Sequence, residues 1–191
     1  MIDTHARSYF NNIFYFLAKV LNRFNIKPLQ VTYLALVLGL IGALSLYNGF
    51  YISSLVFLWL SGLFDVLDGE LARLSKNQSA KGALLDIFFD RVVEISYIFA
   101  FIKTASTISL LFLSCSIILS MTIFLTVGAV SKAQSNKAFY YQAGMVERTE
   151  GFIFFSLMII FPNYSTYIAY IFAFLISVTV VQRLKEAIKN L

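Results

Sequence analysis

The stretch YISSLVFLWLSGLFDVLDGELARLSKNQSAKGALLDIFFDR, residues 51–91, decides what kind of protein this is. It opens with an uncharged apolar run and brings in Asp65 and Asp68 near the end of that run. A polar link from Ser75 to Lys81 follows, and a second apolar segment carries Asp86 and Asp90. A helix needs about 20 apolar residues to cross the hydrocarbon core of a bilayer. Residues 51–73 supply that length, so these acids lie in membrane helices. Ionisable side chains in such helices are costly and mark function by default.

The composition agrees. Of 191 residues, 59% are hydrophobic and only 13% are charged, with mean hydropathy +0.79. A soluble domain of this length has too little interior to hide that much apolar surface. No short apolar core with a small-residue cleavage site opens the chain, so no cleaved signal peptide is expected. Cys115 is the single cysteine and His5 the single histidine, which excludes an internal disulfide and a His/Cys metal cluster. The net charge of +5 is spread as a membrane protein spreads it, and no nucleic-acid partner is expected.

Working outward, Val31–Phe50 and Tyr51 to about Arg73 read as two spans. A third runs from about Gly82 to Thr104, interrupted by Asp86, Asp90, Arg91, Glu94 and Lys103. Ile108–Val130 is a fourth and Tyr167–Val181 is the last. Gly151–Phe161 is short for a span, and the basic residues decide how to read it. With six spans and a cytoplasmic N-terminus, Arg7, Lys19, Arg23, Lys27, Arg73, Lys76, Lys81, Lys132, Lys137, Arg148, Arg183, Lys185 and Lys189 all lie inside. Only Lys103 falls near an outer loop, which is the positive-inside pattern. The fifth helix must then begin before Gly151, drawing Glu147 and Arg148 to the inner mouth. Ahead of the first span, Phe10, Ile13, Phe14, Leu17, Val20, Leu21 and Phe24 recur at helical spacing. That pattern predicts an amphipathic helix, lying in the inner interface or packed on the protein. The expected architecture is therefore all-α, with an amphipathic juxtamembrane segment over residues 1–27. A six-helix transmembrane domain follows over residues 28–191. Ala35, Gly39 and Ala43, four apart, offer a close helix approach in the first span.

Counting places the acids. Asp65 and Asp68 are i, i+3 and Asp86 and Asp90 are i, i+4, so each pair shares a helix face. In an antiparallel hairpin the four come level in two rungs, Asp65 with Asp90 and Asp68 with Asp86. Their depth is up to roughly 12 Å at about 1.5 Å per residue. Four such carboxylates cannot all stay ionised in low dielectric without cations, and oxygen-only ligands suit Mg²⁺, Mn²⁺ or Ca²⁺. Gly69, Ala72 and Gly82 leave room beside them, and Arg73 brings a guanidinium suited to phosphate. The set fits a nucleotide diphosphate at the membrane surface. Two other readings stay open: the acids cap helices or pair with Arg73, Arg91 and Lys81, or they line a divalent-cation transport path.

The spaced pattern Asp65-x2-Asp68-Gly69-x2-Ala72-Arg73-x8-Gly82-x3-Asp86-x3-Asp90 resembles, at all eight positions, the signature of the CDP-alcohol phosphatidyltransferase family. Members transfer a phospho-alcohol group from a CDP-alcohol, such as CDP-diacylglycerol, to the hydroxyl of a polar acceptor and release CMP. The resemblance implies two divalent ions, Mg²⁺ or Mn²⁺, with Asp65, Asp68 and Asp86 as ligands and Asp90 closing the site. It also makes Asp90 the general base. Thr32, Asp68, Gly69, Ala72, Arg73 and Gly82 would hold the CDP moiety, and a homodimer is implied. The site would face the cytoplasm, in the cell membrane of a prokaryote. Lys132 in Ser131-Lys132-Ala133-Gln134 and Arg148 in Glu147-Arg148-Thr149-Glu150-Gly151 are similar to the branch using inositol phosphate. Gln134 and Gly151 depart from it, each standing where an arginine is expected. Lys132 and Arg148 are then either contacts to an acceptor phosphate or inner-side anchors, and glycerol phosphate or another polar alcohol remains an alternative acceptor.

Overall fold

A computed structural model describes the backbone of residues 2–134 and 148–190 and the side chains of residues 12–130 and 148–189. Seven α-helices follow one another: α1 (Ile2–Arg23), α2 (Pro28–Tyr47), α3 (Tyr51–Leu74), α4 (Ala80–Ala100), α5 (Thr107–Gln134), α6 (Arg148–Ile160) and α7 (Ser165–Asn190). Short 3-10 turns, Phe101–Lys103 and Pro162–Tyr164, follow α4 and precede α7. The described residues contain no strand, as the sequence predicts. They form two compact units, Thr4–Lys103, and Thr104–Leu191 with Met1–Asp3.

In the unit of residues 4–103, α2 is the organising helix. Pro28 starts it, and the Lys27 backbone N–H donates to Gln30 Oε1 at 2.9 Å. Gly49, at φ +83°, turns the chain into α3 in a conformation that favours glycine. The α2 stripe of Ala35, Gly39, Gly42 and Ala43 is buried. At Gly39 an added Cβ would lie 2.5 Å from a Val93 methyl on α4 and 3.0 Å from Ser61 Oγ on α3. At Gly42 it would strike the Tyr97 hydroxyl and come within 3.0 Å of Phe57 Cβ. Helix α2 is thus wedged between α3 and α4, and the small residues allow it. Polar side chains tie the wedge: Ser61 Oγ donates to the Ala35 carbonyl at 2.8 Å, and buried Tyr97 donates to the Ser54 carbonyl at 3.0 Å.

The paired positions fix direction. Ala35 meets Ser61 and Gly42 meets Phe57, so α2 and α3 are antiparallel. Tyr33 meets Phe89 with ring centroids 5.1 Å apart, Gly39 meets Val93 and Gly42 meets Tyr97, so α2 and α4 run parallel. At their far ends Lys103 Nζ donates to the Tyr47 carbonyl at 2.8 Å and sits 3.7 Å above the Tyr47 ring. Lys103 is therefore held at the carbonyl end of α2, where a cation is favoured.

In the other unit, α5 and α7 also run parallel. Ser106 N–H donates to Thr166 Oγ1 at 2.9 Å near one end, and Arg183 Nη1 donates to Ser120 Oγ at 3.1 Å further along. Helix α6 returns beside α7, with Phe154 stacked on Phe172 at 4.7 Å and Phe155 meeting the same ring edge-on at 5.7 Å.

Four helical segments are long and apolar enough to cross a membrane: Pro28–Tyr47, Tyr51–Leu74, Thr107–Val130 and Pro162–Lys189. The protein is an integral membrane protein by these helices. The expected count of six is corrected to four on apolarity. Helix α4 has the length but carries Lys81, Asp86, Asp90, Arg91 and Glu94. Helix α6 has 13 residues and begins at Arg148, three residues before Gly151, while residues 135–147 lie outside those described.

Helix α1 packs by part of its apolar stripe. Phe14, Leu17 and Leu21 pack with buried Ala18 against Val31, Leu67 and Leu71, so this part of the apolar stripe faces protein. Ile13, Val20 and Phe24 stay exposed. The packing reading holds for one side of the helix.

Candidate metal and nucleotide site

The site grows from the linked ends of α3 and α4. Helix α3 closes with Ser75 Oγ donating to the Leu71 carbonyl at 2.7 Å, and Lys76 takes a left-handed φ of 52° to leave the helix. Helix α4 opens on Ser79, whose Oγ accepts the Gly82 N–H at 3.0 Å, an N-cap that satisfies one of the free amides of the first turn. These two ends fix which turns carry the acids.

Carboxylate oxygens of Asp65, Asp68 and Asp86 all lie within 4.8 Å of one another. Asp65 and Asp68 are buried at 9% and 6% exposure, and Asp86 and Asp90 are half-buried. Asp86 Oδ1 is buried with no hydrogen-bond partner. A buried carboxylate oxygen left in this way is expensive. A cation coordinated by it and by the two neighbouring acids removes that cost. Three hard oxygen donors in one small volume suit Mg²⁺ or Mn²⁺, and the residues fit such an ion.

The arrangement is a triangle rather than two rungs. Asp90 lies one turn beyond Asp86 on α4 and outside the close group, near enough to act on Asp86 through its charge. The hairpin picture leaves out α2, which packs on both α3 and α4. With α2 wedged between them, the aspartates meet as a group near the linked ends.

The remaining predicted residues lie on helices of the two units. Gly69 and Ala72 follow Asp68 on α3, and Gly82 is in the first turn of α4. A Cβ built on Gly69 meets nothing closer than Arg73 Nη1 at 3.8 Å, so the protein's own packing does not demand glycine there. Arg73 is largely exposed and pairs with Glu70 one turn back, and Arg91 pairs with Glu94. These two ion pairs thus go to glutamates. Thr32 is buried in the first turn of α2, with its hydroxyl donating to the Pro28 carbonyl at 3.1 Å. Arg148 opens α6, half-buried, with its guanidinium 6.0 Å from the Phe152 ring centroid. The Lys132 side chain and Glu147 lie outside the described residues.

Sequence reasoning missed three features. The Glu70–Arg73 and Arg91–Glu94 pairs were countable as i, i+3 spacings. Gly42 and Tyr97 carried no sequence signal that they meet. Arg183, expected as an inner-loop anchor, is a half-buried charge within the Pro162–Lys189 span, over the Phe124 ring at 5.6 Å.

Residues 25–181 match the family described as CDP-alcohol phosphatidyltransferase. Over 172 residues the chain is 30% identical to the inner membrane protein YnjF of Escherichia coli (strain K12), covering 85% of this chain and 83% of that one. Its structure is similar to the Mycobacterium tuberculosis phosphatidylinositol phosphate synthase PgsA1 with CDP-DAG bound, at TM-score 0.70 and 22% identity, covering 92% of this chain and 94% of that one. The same synthase in complex with manganese and citrate matches at TM-score 0.70 and 24% identity, with 91% and 88% covered.

Proposed function

The chain belongs to the CDP-alcohol phosphatidyltransferase family, and from that premise we propose a phosphatidyltransferase that joins a CDP-linked lipid to a polar alcohol. As a member it moves a phospho-alcohol group from a CDP-alcohol and is a metal-binding membrane transferase of phospholipid synthesis. CDP-diacylglycerol is the proposed donor, supported by the CDP-DAG bound in the similar synthase. The observation that carries the reading is the triangle of Asp65, Asp68 and Asp86 near the linked ends of α3 and α4.

Asp65, Asp68 and Asp86 would hold divalent ions, Mg²⁺ or Mn²⁺, with Asp90 completing the set for a second ion. Manganese in the similar synthase supports the donor set. Bound there, the ions would neutralise the pyrophosphate and the charge that develops on departing CMP. The chain's own residues do the positioning. Gly69, Ala72 and Gly82 keep a wall low for the nucleotide, with Asp68 and Thr32 beside it. Arg73 turns from Glu70 to a phosphate. Asp90 takes the proton of the attacking hydroxyl as the new P–O bond forms and the bond to CMP breaks. Holding donor and acceptor in line supplies much of the rate.

The acceptor proposed is inositol phosphate, with Lys132 and Arg148 on its phosphate; Arg183 is a further basic group on the same unit for that phosphate. Glycerol phosphate is the second choice. Helices α4 and α6 would cross with the four apolar helices to give six. The pairing of α4 along α2 and the parallel course of α5 and α7 support this, since two parallel spans need a return between them. The site would face the cytoplasm, with the protein in a prokaryotic cell membrane as a homodimer.

The test is CMP release by the purified protein in nanodiscs with Mn²⁺ or Mg²⁺ and CDP-diacylglycerol. Inositol phosphate, glycerol phosphate, inositol and serine are offered in turn. Metal-dependent release with inositol phosphate is expected. Metal movement across a vesicle without nucleotide, with no CMP formed from any donor, would replace this reading by the transporter.

A further inference from the structure

Helix α1 carries more apolar surface than the protein uses. Phe14, Leu17, Ala18 and Leu21 grip Leu67 and Leu71 of α3. Beside that face Ile13, Phe16 and Val20 form a second strip, 53%, 64% and 37% exposed, continued by Phe24 at 72% just past the helix end. Lys19 lies one turn from Phe16 and Arg23 one turn from Val20; both are exposed, and they edge the strip on the side away from α3. The link from α1 to the span that begins at Pro28 is residues 24–27, at most roughly 14 Å of chain. The C-terminal half of α1 is therefore tethered at the boundary of the bilayer. An apolar strip with a basic border at that depth matches an anionic lipid surface: the strip enters the acyl boundary and the border meets the headgroups.

We propose that this face of α1 docks on an anionic bilayer surface and, by doing so, braces the turn of α3 that carries Asp68. The mechanical link is direct. Leu67 precedes Asp68, Leu71 follows it by one turn, and both are buried under α1. A helix held by the membrane on one side and by Leu67 and Leu71 on the other restrains the site's position. The lipid's role is its surface charge, so the rate depends on membrane composition as well as on substrate.

The experiment uses the full chain in nanodiscs of phosphatidylcholine alone, and of phosphatidylcholine with about 30% phosphatidylglycerol. The first readout is independent of catalysis. In a Trp59→Phe background, Phe16→Trp reports insertion through quenching by acyl-brominated lipid. Stronger quenching in the anionic discs is expected, with the difference abolished in K19Q/R23Q and retained in K19R/R23K. Equal quenching in the two kinds of disc overturns the anionic docking. The second readout, CMP release, rests on the transferase reading above. The wild-type rate should rise about fivefold or more from neutral to anionic discs, and K19Q/R23Q should stay at the neutral-disc rate in both. A rate indifferent to lipid while quenching responds overturns the brace. If no CMP forms in any disc, the transferase reading has failed, and the quenching still decides the docking.

Discussion

Two regions of the molecule use glycine for opposite purposes. In the α2 seam, the space a Cβ would fill at Gly39 and Gly42 is already taken by Val93, Ser61, Tyr97 and Phe57. At the α3 mouth, the space beside Gly69 is open, with only the Arg73 guanidinium at 3.8 Å. The first absence of a side chain is consumed by the fold. The second is left over, next to the carboxylate triangle, and is available to a ligand. Gly82 is intermediate: a Cβ there would press on Ser79 Oγ at 3.2 Å, so it also serves the cap of α4. A glycine is thus informative about function only after the packing around it is known.

The contrast can be broken most forcefully at the triangle. Asp86→Asn should lower CMP release on the order of 10³-fold or more, and abolish the rise in Tm that Mn²⁺ gives the wild type. Without metal the variant should melt no lower than wild type, because one charge leaves a crowded group. A variant that keeps full turnover removes Asp86 from the site. At the seam, Gly42→Ala should cost about 1–3 kcal/mol of stability, because buried Tyr97 has no space to yield. Turnover per folded molecule should change little; thermal melts in one detergent, with active-fraction titration, measure both. Gly69→Ala should show the converse, an unchanged Tm with the KM for CDP-diacylglycerol raised roughly tenfold. An unchanged KM would mean the open space serves no ligand. The smallest effect is expected at Ser79→Ala, a loss of about 1 kcal/mol from the uncapped α4. It should be read as a lower melting point with the metal response intact.

Much of this was legible beforehand, for reasons that differ by residue. The apolar helices α2, α3, α5 and α7 announce themselves because lipid demands a long run of one kind of side chain. The signature acids were legible because their spacing is set along single helices, where counting is geometry. Their grouping as a triangle was not, since it depends on α2, which lies outside the acid-bearing stretch and packs between the two helices. Helix α4 falls short on apolarity because of its own charges, Lys81, Asp86, Asp90, Arg91 and Glu94. The Arg91–Glu94 pair among them was countable as an i, i+3 spacing. The split face of α1 was hidden, because periodicity reports that Phe14 and Phe16 are apolar but not which of them meets α3.

The grip of Lys103 on the carbonyl end of α2 has a consequence for how α4 is held. Helix α4 is too charged to enter a bilayer on its own account, whereas α2 and α3 enter readily. The place of α4 beside them is then set by contacts: Val93 and Tyr97 fill the groove at Gly39 and Gly42. Lys103, just past the helix, closes over Tyr47 at the far end of that groove. The seam is keyed along its length and clasped at one end, so α4 is held by its partners more than by the apolarity of its own sequence.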